Sequence, residues 1–312
     1  MKNKIQIKKI ALWIGVVFII LFIGTTILMS LTQRQLLIDA DKQSLQILAN
    51  EKAAQVNNFL ESQKEKSEII ATMNVFKEVV KDPNNTAKIE VAKDRINELK
   101  DIIPRIAIFT NEGIMFIAES GPVPIDYSAL PYFVSKDKNI VFIRYYDSFQ
   151  KRDYYSILGP IYDNADKSKI IGAIAFDLEL DKVSILMKEV LESKTGEVYL
   201  IDENGLLLSG SEYIGEGNKD GVLIQEVKSE GAKECLEDLE KYRGDGFVEE
   251  HEEEVISYTN YMGNEVFGAH AYVPSIMGCV IAEKSADEIT KFSMIDYIKN
   301  ILKIEKEVND ET

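Results

Sequence analysis

The run IALWIGVVFIILFIGTTILMSL, from Ile10 to Leu31, holds no charged side chain. It exceeds the ~20 apolar residues that a bilayer-spanning helix requires. A secretory signal has an apolar core of only ~7–15 residues followed by a small-x-small cleavage site. Leu28 and Ser30 fit such a site poorly, and Gly24 and Thr26 fit it weakly. An uncleaved transmembrane helix is therefore expected over 10–31. Lys2, Lys4, Lys8 and Lys9 make residues 1–9 a basic tail, which the positive-inside bias holds in the cytoplasm. Everything after Thr32 is then extracytoplasmic, and the chain is a single-pass protein of the cell membrane.

Charge narrows the partners. The 312 residues carry a formal net charge of -16, and phosphate backbones are bound by clustered lysine and arginine, so nucleic acid is excluded. Cys235 and Cys279 are the only cysteines. In an oxidising compartment they either pair or stay as separate thiols. Sequence cannot bring their Cα atoms together, and two separate thiols are the simpler expectation.

Beyond the apolar run, Leu36, Leu45, Leu48, Val56, Phe59, Leu60, Ile70 and Phe76 form a helical stripe among charges. One long membrane-proximal helix is predicted over 32–80, with no glycine or proline to break it. Asp82-Pro83-Asn84-Asn85 reads as a turn, and a second helix fits Thr86 to Ile102, ending before Pro104. The period then changes to two. IAIFTNEGIMFIAES reads as a β-hairpin turning at Asn111-Glu112-Gly113. FIRYYDSF, DYYSILGPIYD and KIIGAIAFDLEL supply further strands, and Ser184 to Ser193 a short helix.

The pattern then repeats. EVYLIDENGLLLSGS, with Asn204-Gly205 at its turn, echoes the first hairpin, and GCVIAEKSADEI echoes GAIAFDLELDKV. AYVP likewise echoes GPIY. Two similar α+β modules in tandem follow, over 81–185 and 186–290. Residues 291–312 read as an acidic amphipathic helix.

Catalytic apparatus is missing from the motifs. HEEEV, His251 to Val255, lacks the second histidine of a zinc-protease helix and reads as a solvated acidic loop. DENG, Asp202 to Gly205, has too few ligands for a calcium loop and reads as a turn. His270 sits in an apolar strand and reads as core. No nucleophile elbow, phosphate loop or paired-cysteine metal motif is present. The expectation is a non-enzyme with no cofactor and no metal.

One stretch invites a ligand. In KIIGAIAFD, residues Ile171, Ala173, Ala175 and Asp177 share a strand face. Small side chains leading to a carboxylate leave room for a guest, and a buried carboxylate needs a partner. A ligand ammonium would satisfy it, with nearby tyrosine faces adding cation–π attraction. Along FIRYYDSF, Tyr145 faces opposite to Arg144 and Tyr146, so only one of these sets can join that surface.

An anchor, a long helix and two repeated antiparallel modules, together with IDYSALPYF, RYYD, LGPIYDNADKSKIIGAIAFDLELDKV and TGEVYLIDENGLLL, resemble the double Cache sensor domain. The resemblance covers roughly 33–289. It implies two tandem PAS-like modules with antiparallel sheets, as in chemoreceptors and sensor histidine kinases, the membrane-distal one binding a small molecule. Carried over by motif, the ligand-binding positions are Tyr132, Phe133, Arg144, Tyr145, Tyr154 and Asp177. Leu130 stands where amino-acid-binding members place an arginine for the ligand carboxylate. The ligand expected is thus an amine, another small metabolite, or an amino acid held differently. The function expected is membrane-anchored sensing of chemotaxis or two-component type. A homodimer through the long helix and a separate kinase or chemoreceptor output protein are the partners implied, because the chain ends without a cytoplasmic output region. The alternative is a tethered ligand-binding protein that acts through a partner.

Overall fold

The computed structural model describes residues 2–103, 105–118, 123–135, 139–147, 151–188, 195–210, 221–245 and 255–290. Side chains are described from Gln35 onward in the first helix, with a few earlier positions, and up to Leu239 in the helix over 230–245. The acidic HEEE segment, the helix expected over 291–312 and the Arg152 side chain lie outside the described set.

Helix α1 runs unbroken over Lys2–Ala71 and takes in the apolar run. Most side chains of that run lie outside the description, and among the described residues no helix is long and apolar enough to cross a membrane. The single helix expected to Val80 is instead divided. Thr72 donates through Oγ1 to the Ile69 carbonyl at 2.6 Å, and Met73 N–H bonds back to Ile70 O at 3.0 Å. These contacts close the last turn of α1, and extended backbone at Met73 starts α2, Asn74–Lys81, in a new direction. Asn85 caps α3, Thr86–Leu99, by accepting from Lys88 N–H at 3.2 Å. The Asp82–Asn85 turn is as expected, with Asn85 N–H bonded to Asp82 O at 3.1 Å.

The first sheet contains β1 (Ile106–Thr110), β2 (Ile114–Ala118), β3 (Ile125–Asp126), β4 (Val141–Asp147), β5 (Arg152–Tyr162) and β6 (Ile170–Asp177), with the short helix α4 (Pro131–Val134) between β3 and β4. Its order is β3-β2-β1-β6-β5-β4, antiparallel throughout. One face, including Ile106, Ile108, Ile157, Ile174 and Phe176, packs on α2, α3 and the end of α1. Gly172 permits this closeness: a Cβ there would meet Val80 Cγ1 at 2.5 Å and Phe109 O at 2.6 Å.

After α5 (Leu180–Lys188) come β7 (Glu197–Ile201), α6 (Glu230–Asp245), β8 (Ile256–Thr259), β9 (Glu265–Val273), β10 (Gly278–Ser285) and α7 (Ala286–Thr290). The second sheet is ordered β7-β10-β9-β8. It repeats the β1-β6-β5-β4 part of the first sheet, strand for strand. The second hairpin is only half formed. Asp202 Oδ1 accepts from Asn204 and Leu206 N–H, both at 2.9 Å, and Gly205 turns at φ 76, but the return meets β7 through the Ile201–Leu207 bridge and a Leu200 N–H bond to Ser209 Oγ at 2.9 Å, without forming a full strand.

Helix α1 joins the two halves. Leu45, Leu48, Ala49, Ala53, Val56 and Leu60 pack on Ala269, Ala271, Val280 and Ala282 of the second sheet, while Ile70 and Ala71 reach the first. Lys52, buried in this layer, donates to the Leu186 carbonyl at 2.6 Å and ties α1 to α5. The opposite face of the second sheet is covered by α6, and Cys235 of α6 is disulfide-bonded to Cys279 of β10. Separate thiols are thereby corrected: α6, which the sequence reading did not assign, carries Cys235 onto the sheet face where Cys279 points.

Candidate functional site

Register assembles the site. Across β6, Ala173 faces Phe109 of β1 and Pro160 of β5, Ala175 faces Ala107 and Leu158, and Asp177 faces Ser156. On β4, Tyr145 pairs with Tyr154 and Ile143 with Ser156. Strand side chains alternate in direction, so all of these share the face turned away from α2 and α3. Its apolar cluster includes Phe109, Met115, Tyr132, Leu158, Ala173 and Ala175. Alanines over β1 and β6 keep the floor low, and aromatic residues rise around it.

Asp177 is the polar hub. Its Oδ2 lies 3.1 Å from Arg105 Nε, its Oδ1 accepts from Tyr145 Oη at 3.1 Å, and Ser156 Oγ donates a further short bond. Asp177 N–H also bonds to Arg105 O at 3.2 Å. The two charged side chains are 18% and 9% exposed. A largely desolvated carboxylate is costly unless paired and hydrogen-bonded, and here it is both. Arg105 supplies a counter-charge from within the protein, beside which a ligand ammonium would be a second partner for Asp177. The Arg105 guanidinium lies 4.0 Å from the Tyr154 ring centroid, a stacked cation–π contact. Burial, reinforced by the neighbouring Asp177, pushes the Tyr145 hydroxyl up, so it remains a protonated donor.

The aromatic wall is continuous. Tyr145 stacks on Tyr154 at 5.6 Å between centroids and meets Tyr127 edge-on at 5.8 Å. Tyr127 meets Phe109 at 5.9 Å, Phe109 meets Phe133 at 5.6 Å, and Phe133 meets Tyr132 at 5.1 Å. Gly113 seats this wall on the hairpin turn. Its φ is 92, and a Cβ there would strike Ser128 Cα at 2.8 Å and Phe133 Cγ at 2.9 Å.

Of the motif-derived positions, Tyr145, Tyr154 and Asp177 meet directly, and Phe133 and Tyr132 join through Phe109. Arg144 does not. It lies on the other face with Nε 3.0 Å from Asp153 Oδ1, beside the exposed Tyr146. Arg105, Ser156 and Phe109 were not singled out from sequence. The signal for two of them was present: Arg105, Ala107 and Phe109 alternate into the same face as Ala175 and Asp177.

The second sheet holds a counterpart in a different state. Glu283 of β10 is fully buried and accepts from Tyr199 Oη at 2.7 Å, Tyr258 Oη at 2.8 Å and Asn260 Nδ2 at 2.9 Å. Burial raises its carboxyl above the usual range, against the pull of these three donors. Helix α6 covers this face, so the cluster is filled from within.

No curated protein sequence matches the chain. Among solved structures it resembles the sensor domain of the V. cholerae histidine kinase DctB, at 10% identity and TM-score 0.57, over 81% of this chain and 98% of that one. It also resembles the ligand-binding domain of the Pseudomonas fluorescens chemoreceptor CtaA, solved with L-isoleucine, at 14% identity and TM-score 0.53, over 84% and 99%. The ligand-binding domain of the Pseudomonas aeruginosa PAO1 amino acid chemoreceptor PctB, solved with L-Arg, matches at 13% identity and TM-score 0.52, over 82% and 99%. At such identities the likeness is one of fold. The family model described as a Cache domain matches residues 33–291. Duplicated sheets, a shared long helix and that match together place the chain in the Cache domain family, in its double form.

Proposed function

We propose that the protein is a membrane-anchored extracytoplasmic sensor whose first sheet binds a small zwitterion of amino-acid type. The observation that carries this reading is the pairing of Arg105 with Asp177 on one aromatic-walled, alanine-floored face. A zwitterion can offer its carboxylate to the guanidinium and its ammonium to the carboxylate. Arg105 thus takes the role left vacant at Leu130, from the residue just before β1. Chemoreceptor domains of the same fold solved with L-Arg and L-isoleucine support the ligand class.

The apolar run over 10–31 supports the anchor. The Cys235–Cys279 bond supports an oxidising, extracytoplasmic setting. Occupancy would bias α1, which touches both sheets, and the exposed Leu36, Ile47 and Ile69 support dimerisation along it. The test is a thermal-shift screen of the full chain in mild detergent against the common amino acids and their decarboxylated amines. One or a few amino acids should stabilise it, their amines should not, and Tyr145→Phe and Asp177→Asn should each abolish the shift. Stabilisation by none, or a shift indifferent to both substitutions, refutes the reading.

A further inference from the structure

The first sheet has a concavity on the side opposite Asp177. A cleft of about 500 Å³ opens between the end of α1, the start of α2 and strands β5 and β6. Its size falls in the range of small-molecule sites, roughly 300–1,000 Å³. Ile174 and Phe176 form the floor together with Gly159 and Ile140. Ile174 and Phe176 alternate with Ala173, Ala175 and Asp177 along β6, so β6 and β5 separate this cleft from the aromatic-walled face. Gly159 keeps the floor open, because a Cβ there would approach Ile140 Cγ1 to 3.1 Å.

The rim is where a ligand class can be read. Lys64 on α1 and Lys77 on α2 both line the cleft, against the single carboxylate of Glu68. These lysines stand in a chain with 52 acidic and 36 basic residues. Neither lysine has a strong partner. Lys64 Nζ is 3.6 Å from Glu61 in a solvent-exposed i,i+3 pair, a type that contributes little. Lys77 Nζ donates to the neutral Asn164 Oδ1 at 2.9 Å. A carboxylate would be a better acceptor for both.

We propose that this cleft is a second binding site, for a small monocarboxylate whose apolar body lies on Ile140, Ile174 and Phe176 while its anion engages Lys64 and Lys77. The two lysines flank the break at Thr72–Met73, so such a guest clasps the end of α1 to α2. The site is independent of the Asp177 reading, since it uses the other face of the sheet.

The test uses the full chain in mild detergent, with hexanoate as the probe and hexanamide as its uncharged counterpart. Hexanoate should raise the melting temperature in a saturable manner, and hexanamide should not. Lys64→Gln combined with Lys77→Gln should weaken hexanoate about tenfold, as expected for loss of charge-assisted contacts. Lys93→Gln, an exposed lysine on α3, should change nothing. Gly159→Val should abolish the response by filling the floor, with native circular dichroism showing that the fold persists. Amino-acid-induced stabilisation, if present, should survive the lysine substitutions. No saturable response to hexanoate overturns the proposal. So does equal stabilisation by hexanamide, or a hexanoate response that both sets of cleft variants leave intact.

Discussion

Asp177 and Glu283 stand at the same step of two successive copies, each five residues beyond a strand glycine, Gly172 in β6 and Gly278 in β10. Their surroundings have diverged. Asp177 receives a guanidinium and two hydroxyls on a face lined by aromatic rings, whereas Glu283 receives two phenols and an amide beneath α6. Equivalent positions thus serve an ion pair in the first sheet and a sealed polar knot in the second.

The ion pair sets the first expectation. Arg105→Ala leaves a desolvated carboxylate without its counter-charge and should cost about 3 kcal/mol. Arg105→Ala combined with Asp177→Ala should cost less than the sum of the single changes. Denaturant midpoints across that double-mutant cycle measure the coupling, and additive losses would show that the two side chains do not interact.

Glu283 and His270 give opposite pH dependences. Glu283 is raised in the folded state by burial, so its contribution is complete below the unfolded carboxyl value of about 4.3 and is lost as pH climbs through the folded value. Glu283→Gln should remove that descent. Burial lowers His270, whose Nε2 has no hydrogen-bond partner among the described residues. Its contribution is present above about 6.5 and is lost as pH falls through the lower folded value. Asp238, on α6, opposes this depression. His270→Leu should flatten the acid side of a melting-temperature profile and leave the neutral side in place.

The disulfide closes a loop with a sequence separation of 44. By the chain-entropy account its loss should cost about 4 kcal/mol. Both cysteines are fully buried, so dilute reductant should leave the native protein intact at ambient temperature. A Cys235→Ser, Cys279→Ser chain should melt well below the parent, and equal melting temperatures would contradict the bond's role.

Helix α1 offers a contrast along its own length. Leu60, 1% exposed against the second sheet, should cost about 3 kcal/mol as Leu60→Ala. Leu36, 64% exposed, should change monomer stability by less than about 0.5 kcal/mol as Leu36→Ala. If α1 pairs with a second copy, Leu36→Ala should instead shift the sedimentation profile toward monomer.

Much of this architecture was legible in local pattern. The first hairpin, its glycine turn and the strands over 141–147, 152–162 and 170–177 follow from two-residue alternation and turn chemistry. The shared strand order echoes the repeated glycines. What escaped depended on contacts between distant segments. Arg105 precedes its strand and gains meaning only when β1 is set beside β6 in register. Arg144 carries a motif match, yet the alternation that turns Tyr145 inward turns Arg144 outward to Asp153. The break at Thr72 lies in a segment with strong helical periodicity, and hydrogen bonds to Ile69 and Ile70 override it. Helix α6 was announced faintly by Ala232, Cys235 and Leu239 at helical spacing, a signal diluted by surrounding charge.

The bond between Cys235 and Cys279 also divides labour between the two copies. It bolts a cover onto one leaf of the duplicated architecture before any guest arrives, whereas the other leaf has no such fastening because the chain has no further cysteine. On the reading proposed above, a guest would displace the unfastened leaf more easily, with its stapled sibling as the frame against which that shift is read.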